Sequence, residues 1–309
     1  MFHPLHLIPP NTKIDFVAKR WLAFGVTILL VLLTVASLST KGLNLGIDFK
    51  GGILIEAKAP HAVDVSALRA ELGLLNLGET SLQEFGGPDS VLIRVQRQEG
   101  GEEAQQRAVE TVRAKLGAEY EYRRVEVVGP TVGNELLHAG ILATVLAVLA
   151  IGVYVGVRFE WQFGLAAFIA TLHDVFVTVG LYSVLQLDFN LTAIAALLTL
   201  AGYSINDTVV VFDRIRETLR RQKATDLRAV INDAVNQTLS RTLMTAGTTL
   251  LALLPLVLMG GTTLINFSAA LTWGILVGTY SSIYVAAALL IYMPPLRRIE
   301  TLRPAPAKK

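Results

Sequence analysis

Six long apolar runs, set apart by polar or charged stretches, constrain this chain more than any motif in it. They lie at 21–38, 136–157, 163–185, 191–212, 243–258 and 267–292. A helix needs about 20 mainly apolar residues to cross the hydrocarbon core of a bilayer. In hydrocarbon every backbone polar group must be satisfied within the structure, so such runs are expected to be transmembrane α-helices. Hydrophobic residues make up 52 % and the mean hydropathy is +0.52, with charge confined to separate blocks. That separation is the pattern of a polytopic membrane protein. The first run is followed by no small-residue cleavage site, so it is expected to stay as a span. With no cysteine, disulfides, thiolate metal sites and cysteine nucleophiles are excluded.

Orientation follows from lysine and arginine in the short loops. Lys13, Lys19 and Arg20 precede the first run, and Arg158 lies between the second and third. The connection 213–242 carries Arg214, Arg216, Arg220, Arg221, Lys223, Arg228 and Arg241, and the tail 293–309 is basic. The opposite short loops, 186–190 and 259–266, have neither lysine nor arginine. Segment 1–20, loop 213–242 and tail 293–309 are therefore expected in the cytoplasm, with 39–135 outside.

Segment 39–135 has mixed charge and short elements instead of apolar runs. Strands are expected at 52–57, 81–85, 91–95 and 120–128, and helices at 65–72 and 102–116, with Asp64 as the N-cap of the first helix. Gly86-Gly87-Pro88-Asp89 is a turn signal between the two central strands. The order β-α-β-β-α-β is that of a ferredoxin-like α+β domain. Leu45-Gly46-Ile47-Asp48-Phe49-Lys50-Gly51-Gly52 lacks the Gly-Lys-Ser/Thr of a phosphate loop. It is expected to be a tight lead-in from membrane to strand, with no helix starting there.

Asp174 stands near the middle of the third run. A carboxylate at the bilayer centre costs roughly 2.5 to 3.5 kcal/mol on insertion scales. Intramembrane acids mark ion pathways and proton relays, so Asp174 is the candidate proton carrier. Gly164, Ala167, Thr171, Asp174 and Thr178 recur at steps of three and four and form one small, polar stripe. Thr171 and Thr178 are candidate supports that hold water near the carboxyl group. The competing reading of Asp174 is a structural carboxyl group bonded to His173 or to a neighbour's hydroxyl; His173, about 100° around the helix, is expected to be a packing or partner residue and not half of a dyad. In the fourth run, Thr192, Thr199, Gly202 or Tyr203, and Asn206 share a face that could meet this stripe. Asn206 and Asp207, expected near the cytoplasmic end, either line an aqueous route or hydrogen-bond within the interface; the residues leave both open. Asp213 and Arg214 are candidate ion-pairing groups at the membrane surface. The threonines opening the fifth run are placed to serve backbone groups freed by Pro255. No zinc pattern, nucleophile elbow or dinucleotide fingerprint is present, so no enzyme, metal or cofactor is expected. The basic stretch lacks interleaved aromatics, which speaks against nucleic-acid binding.

Four motifs in order carry a family resemblance: LGIDFKGG, Val128-Gly129-Pro130-Thr131-Val132-Gly133, Phe159-Glu160-Trp161 with His173-Asp174, and GYSINDTVVVFDRIRE. Together they resemble the smaller, SecF-type subunit of the SecD/SecF protein-export family, within the resistance-nodulation-division (RND) superfamily. The resemblance implies a six-span half with an external domain in the bacterial inner membrane, paired with SecD. It further implies association with the SecY-E-G channel and YajC, and use of the proton motive force to draw preproteins across after SecA has begun the push. Asp174 then matches the family's intramembrane acid. Two other readings compete: an RND-type exporter half for small molecules or lipids, and a non-conducting scaffold of the channel.

Overall fold

The computed structural model describes residue 9 and residues 12–221, 226–259 and 261–294. The tail from 295 and part of the expected loop, 222–225, lie outside the described residues. Among the described residues, six helices are long and apolar enough to cross a membrane. They contain α1 (Arg20–Thr40), α5 (Pro130–Arg158), α6 (Trp161–Leu185), α7 (Leu191–Arg221), α8 (Leu227–Met259) and α9 (Gly261–Ser281). The last continues through a π-turn (Ser282–Ala286), a short helix α10 (Ala287–Leu289) and a 3₁₀ turn to Tyr292. Helices α6, α7 and α9 are the inner three; α1, α5 and α8 leave most of their surface uncovered, as lipid-facing helices do.

Between α1 and α5 the chain builds the separate α+β domain. It comprises β1 (Gly52–Lys58), α3 (Val65–Gly73), β2 (Thr80–Glu84), β3 (Ser90–Val95), α4 (Gly101–Leu116) and β4 (Glu121–Val128). The sheet order is β2-β3-β1-β4 with every pair antiparallel, which is the ferredoxin-like arrangement. Alternation along the strands decides its two faces. Ile53, Ile55, Val91 and Ile93 bury against Leu72 of α3 and Val112 of α4. The Asp64 carboxylate caps α3 by accepting the Ser66 and Ala67 N–H groups at 2.9 and 3.0 Å, a cap worth about 1 kcal/mol. The opposite face, with Glu56, Arg94, Arg124 and Glu126, lines a polar cavity shared with the N-terminal end of α7.

Three expectations about element bounds are corrected. First, LGIDFKGG does contain a helical turn, α2 (Ile47–Lys50), ended by Gly51 at φ 73°. Gly52 follows at φ +131°, where a Cβ would stand 2.7 Å from the Val95 carbonyl oxygen, so the paired glycines are needed to enter the sheet. Second, 130–135 belongs to α5 and not to the external domain. Third, 213–242 is mostly helix: α7 continues past Phe212 to Arg221 and α8 begins at Leu227. Ile215 and Leu219 pack there against Val230, Ile231 and Val235, together with Phe16 and Val17 of the N-terminal strap. An amphipathic stripe with charges between its apolar positions does not register as an apolar run.

Close helix approach sets the inner packing. A Cβ at Gly164 of α6 would stand 2.6 Å from the Gly156 Cα and 2.7 Å from the Gly152 carbonyl oxygen of α5. This is the small-residue contact that lets helices associate where lipid is as apolar as the side chains.

Candidate functional site

Asp174 lies at the point where the three inner helices meet, and it is fully buried. One carboxylate oxygen, Oδ2, accepts the Ser204 hydroxyl of α7 at 2.5 Å and the Ser281 hydroxyl at the end of α9 at 2.7 Å. The other, Oδ1, lies 2.9 Å from His173 Nδ1, which donates in its Nδ1-protonated tautomer. Gly278, one turn before Ser281, makes room: a Cβ there would come within 3.3 Å of Ser204 and 3.5 Å of Asp174 Oδ2. The π-turn that begins at Ser282 adjoins this cluster; such turns are frequent at functional sites.

One turn further along α7 the polar seam continues. The Thr208 and Ser282 hydroxyls are 2.8 Å apart. Asp207 is a second buried carboxyl group, 3 % exposed. Its Oδ1 accepts the Thr245 hydroxyl of α8 at a long 3.3 Å, and its Oδ2 has no hydrogen-bond partner among the described residues. Arg241 lies one turn before Thr245 on α8. The buried Thr242 hydroxyl nearby is also without a partner among the described residues. The two acids therefore differ: Asp174 is saturated with donors and Asp207 is open. A buried carboxyl group with an unpartnered oxygen has a position left for one further hydrogen bond.

Comparison with known proteins fits this architecture. The pattern described as "Protein export membrane protein SecD/SecF, C-terminal" matches residues 108–295, and the SecD/SecF GG motif matches 36–59. This chain belongs to the SecD/SecF family. The protein translocase subunit SecF of Rhodobacter capsulatus is 44 % identical over 304 residues, covering 94 % of this chain and 91 % of the relative. The SecDF of Brucella abortus is 41 % identical over 93 % of this chain, which spans 38 % of that longer protein. The crystal structure of SecDF from Thermus thermophilus, a translocon-associated membrane protein, superposes with a TM-score of 0.81 at 36 % identity; it matches 93 % of this chain, which spans 39 % of the longer one. The GG motif is the Gly51-Gly52 pair whose backbone geometry is described above.

In this SecD/SecF chain the expected site residues separate. Thr178 donates to the Asp174 main-chain carbonyl at 2.8 Å instead of the carboxylate, and Thr171 is buried with no partner for its hydroxyl among the described residues. His173 is a partner of the Asp174 carboxylate, because in a dry interior its ring N–H takes the acceptor within reach. The face of α7 that meets α6 is not the Thr192–Thr199–Gly202–Asn206 stripe; Thr199, Gly202 and Asn206 are exposed. Leu197, Leu200, Ala201 and Ser204 are buried instead. Asp213 is exposed, and Arg214 pairs with Gln237 and Glu217. Arg216 lies over the Phe159 ring at 5.3 Å. Thr245, Thr248 and Thr249 of α8 bond carbonyls of their own preceding turn, not groups freed by Pro255. Ser204, Ser281, Thr245 and Arg241 escaped sequence reasoning because each sits on a different helix from the acid it serves. Their one local signal was the pairing of small and hydroxyl residues, as in Gly278 with Ser281-Ser282.

Proposed function

We propose that this chain is an auxiliary, non-enzymatic subunit of the protein-export machinery that couples the proton motive force to preprotein movement. In this reading it sits in the bacterial cytoplasmic membrane with both termini in the cytoplasm and 39–135 in the periplasm. It works with a SecD partner beside the SecY-E-G channel and YajC, after SecA has started the preprotein. Relatives in which this unit is one part of a longer SecDF chain support the SecD partner. So does the uncovered Thr199–Gly202–Asn206 face of α7: polar groups at membrane depth are costly against lipid, and small residues admit a close neighbouring helix.

The observation that carries the proton role is the open Asp207 carboxyl group, buried on the same seam as the saturated Asp174. Adding or removing a proton there changes the charge facing Thr245 and Arg241 and so shifts the balance between two packings of α7 and α8. Asp174 and Asp207 together form the relay, with the hydroxyls of Ser204, Thr208 and Ser282 between them. The test is proton-driven export in vesicles holding this chain, its SecD partner and the channel. Asp207→Asn and Asp174→Asn are expected to abolish or strongly reduce the proton-driven component while the complex still co-purifies. Full proton-driven export by both variants would leave only the scaffold reading.

A further inference from the structure

Separate contacts tie the external domain to the outer loop of the α6–α7 hairpin. Asp188, the one charged residue in loop 186–190, pairs with Arg94 of β3 and accepts the Asn44 side-chain amide at 2.9 Å. The main chain of the lead-in runs beside the loop as an isolated parallel bridge between Leu45 and Phe189. Gly46 N–H donates to the Phe189 carbonyl and Phe189 N–H to the Asn44 carbonyl, both at 2.8 Å. Phe189 sits between Phe49 and Tyr182, with ring centroids 5.9 and 5.4 Å away. Asp48, from LGIDFKGG, accepts the first N–H of α7, that of Leu191, at 2.9 Å. The start of α7 is thus capped jointly by its own Asn190, which accepts Ala193 N–H at 3.0 Å, and by a carboxylate from the lead-in. A negative charge there is also favoured by the helix dipole.

We propose that Asp48, Arg94 and Asp188 are positioning residues: a latch that makes the external domain and the acid-bearing hairpin move as one body. The helix held at Leu191 is the helix that carries Ser204 and Asp207, without interruption to Arg221. A displacement of α7 must carry the lead-in and β3 with it or break three carboxylate contacts and the backbone bridge. Such a contiguous network, with both ends named, is a physical route for coupling. The proposal rests on the proton-coupled reading above and adds to it the point at which force leaves the membrane.

The experiment uses the same vesicles and reads proton uptake with a pH-sensitive dye alongside proton-driven export. Arg94→Gln and Asp188→Asn are expected to leave proton uptake in place and to lower export per proton by about two- to thirty-fold, the range of single-residue effects on coupling. Reversing the pair, Arg94→Asp with Asp188→Arg, is expected to restore most of that ratio, which a general loss of folding would not allow. An unchanged ratio in the single variants, or no recovery in the reversed pair, overturns the latch. A second measurement exploits the absence of cysteine. A Cβ at Gly46 would lie 3.1 Å from the Asn190 Cβ, close to the roughly 3.5–4.5 Å of a disulfide. Gly46→Cys with Asn190→Cys, oxidised, is expected to export as well as the same sample after reduction. Export blocked by oxidation and restored by reduction would mean that the two bodies separate in the cycle, and the latch fails. Absence of Asp207-dependent uptake in the unmodified complex would instead defeat the proton reading itself, before any latch variant is made.

Discussion

Replacing Asp174 by alanine removes one acceptor group from three buried donors on three segments: Ser204 Oγ at 2.5 Å, Ser281 Oγ at 2.7 Å and His173 Nδ1 at 2.9 Å. Interhelical hydrogen bonds in membranes average about 0.6 kcal/mol in double-mutant cycles, so the two serines together account for about 1 kcal/mol. Ser281 also has a fallback, the Gly278 carbonyl at 3.1 Å. His173 Nδ1 makes no second hydrogen bond among the described residues. A buried donor left unsatisfied costs about 1–3 kcal/mol. Lost packing in a site this enclosed brings the expected total to about 3 kcal/mol. Asp174→Asn keeps the volume and one acceptor oxygen and should cost about 1 kcal/mol. The assay is equilibrium unfolding in mixed micelles with rising SDS fraction, read by tryptophan fluorescence and repeated with Ser204→Ala in a double-mutant cycle. An alanine variant within about 0.5 kcal/mol of the parent, or strict additivity with Ser204→Ala, would refute the view that Asp174 ties α6 to α7. Asp207→Asn should barely change stability in the same assay, because its Oδ2 has no partner to lose.

Gly164→Leu should destabilise the chain by about 1–3 kcal/mol, since even the first carbon of a side chain meets α5 backbone within 2.7 Å; unchanged unfolding would contradict the close α5–α6 contact. The N-terminal strap is predicted to respond to acid. The Ala18 N–H and the Asn232 amide hold the Asp15 carboxyl below its ordinary 3.8, so this contribution is complete above that value and is lost as pH falls through the lower folded value. Hydrogen exchange at Ile14 to Val17 should therefore rise only in that acidic window, and Asp15→Asn should remove the dependence.

The spans were legible because hydrocarbon demands continuous apolar length, and the external domain because period-two strands were bounded by unambiguous turn residues. Both signals are local. The extensions of α7 and α8 were not legible, since Ile215, Leu219, Val230 and Val235 are interrupted by charges that face water while they face one another. The seam was half legible. Asp174 announced itself as a carboxyl group in an apolar run, but which α7 face met it depended on helix rotation. A stripe of Thr199, Gly202 and Asn206 reads as an interface whichever partner covers it. For Asp207 the sequence left two readings open, because its one side-chain partner, Thr245, lies on α8 and cannot be read from α7 alone.

The positions along α7 bear on how a proton could move a domain. At 1.5 Å rise per residue, Ser204 lies roughly 20 Å from Leu191 and only about 4.5 Å from Asp207. Ser204 is held to Asp174, and Asp174 to Ser281, so this level of the helix is tied to both inner neighbours. A rigid helix that tilts must do so about its best-held point. A shift of about 1 Å at Asp207, on the short arm, then becomes roughly 4 Å at Leu191, on the long arm, with the opposite sense. Leu191 is where Asp48 caps the helix, and the preceding loop is where Arg94 grips Asp188. A small rearrangement around one carboxyl group would thus reach the sheet domain enlarged. The many-bonded Asp174 and the open Asp207 thus stand at neighbouring levels of one helix, which places the firm hold beside the site of the rearrangement.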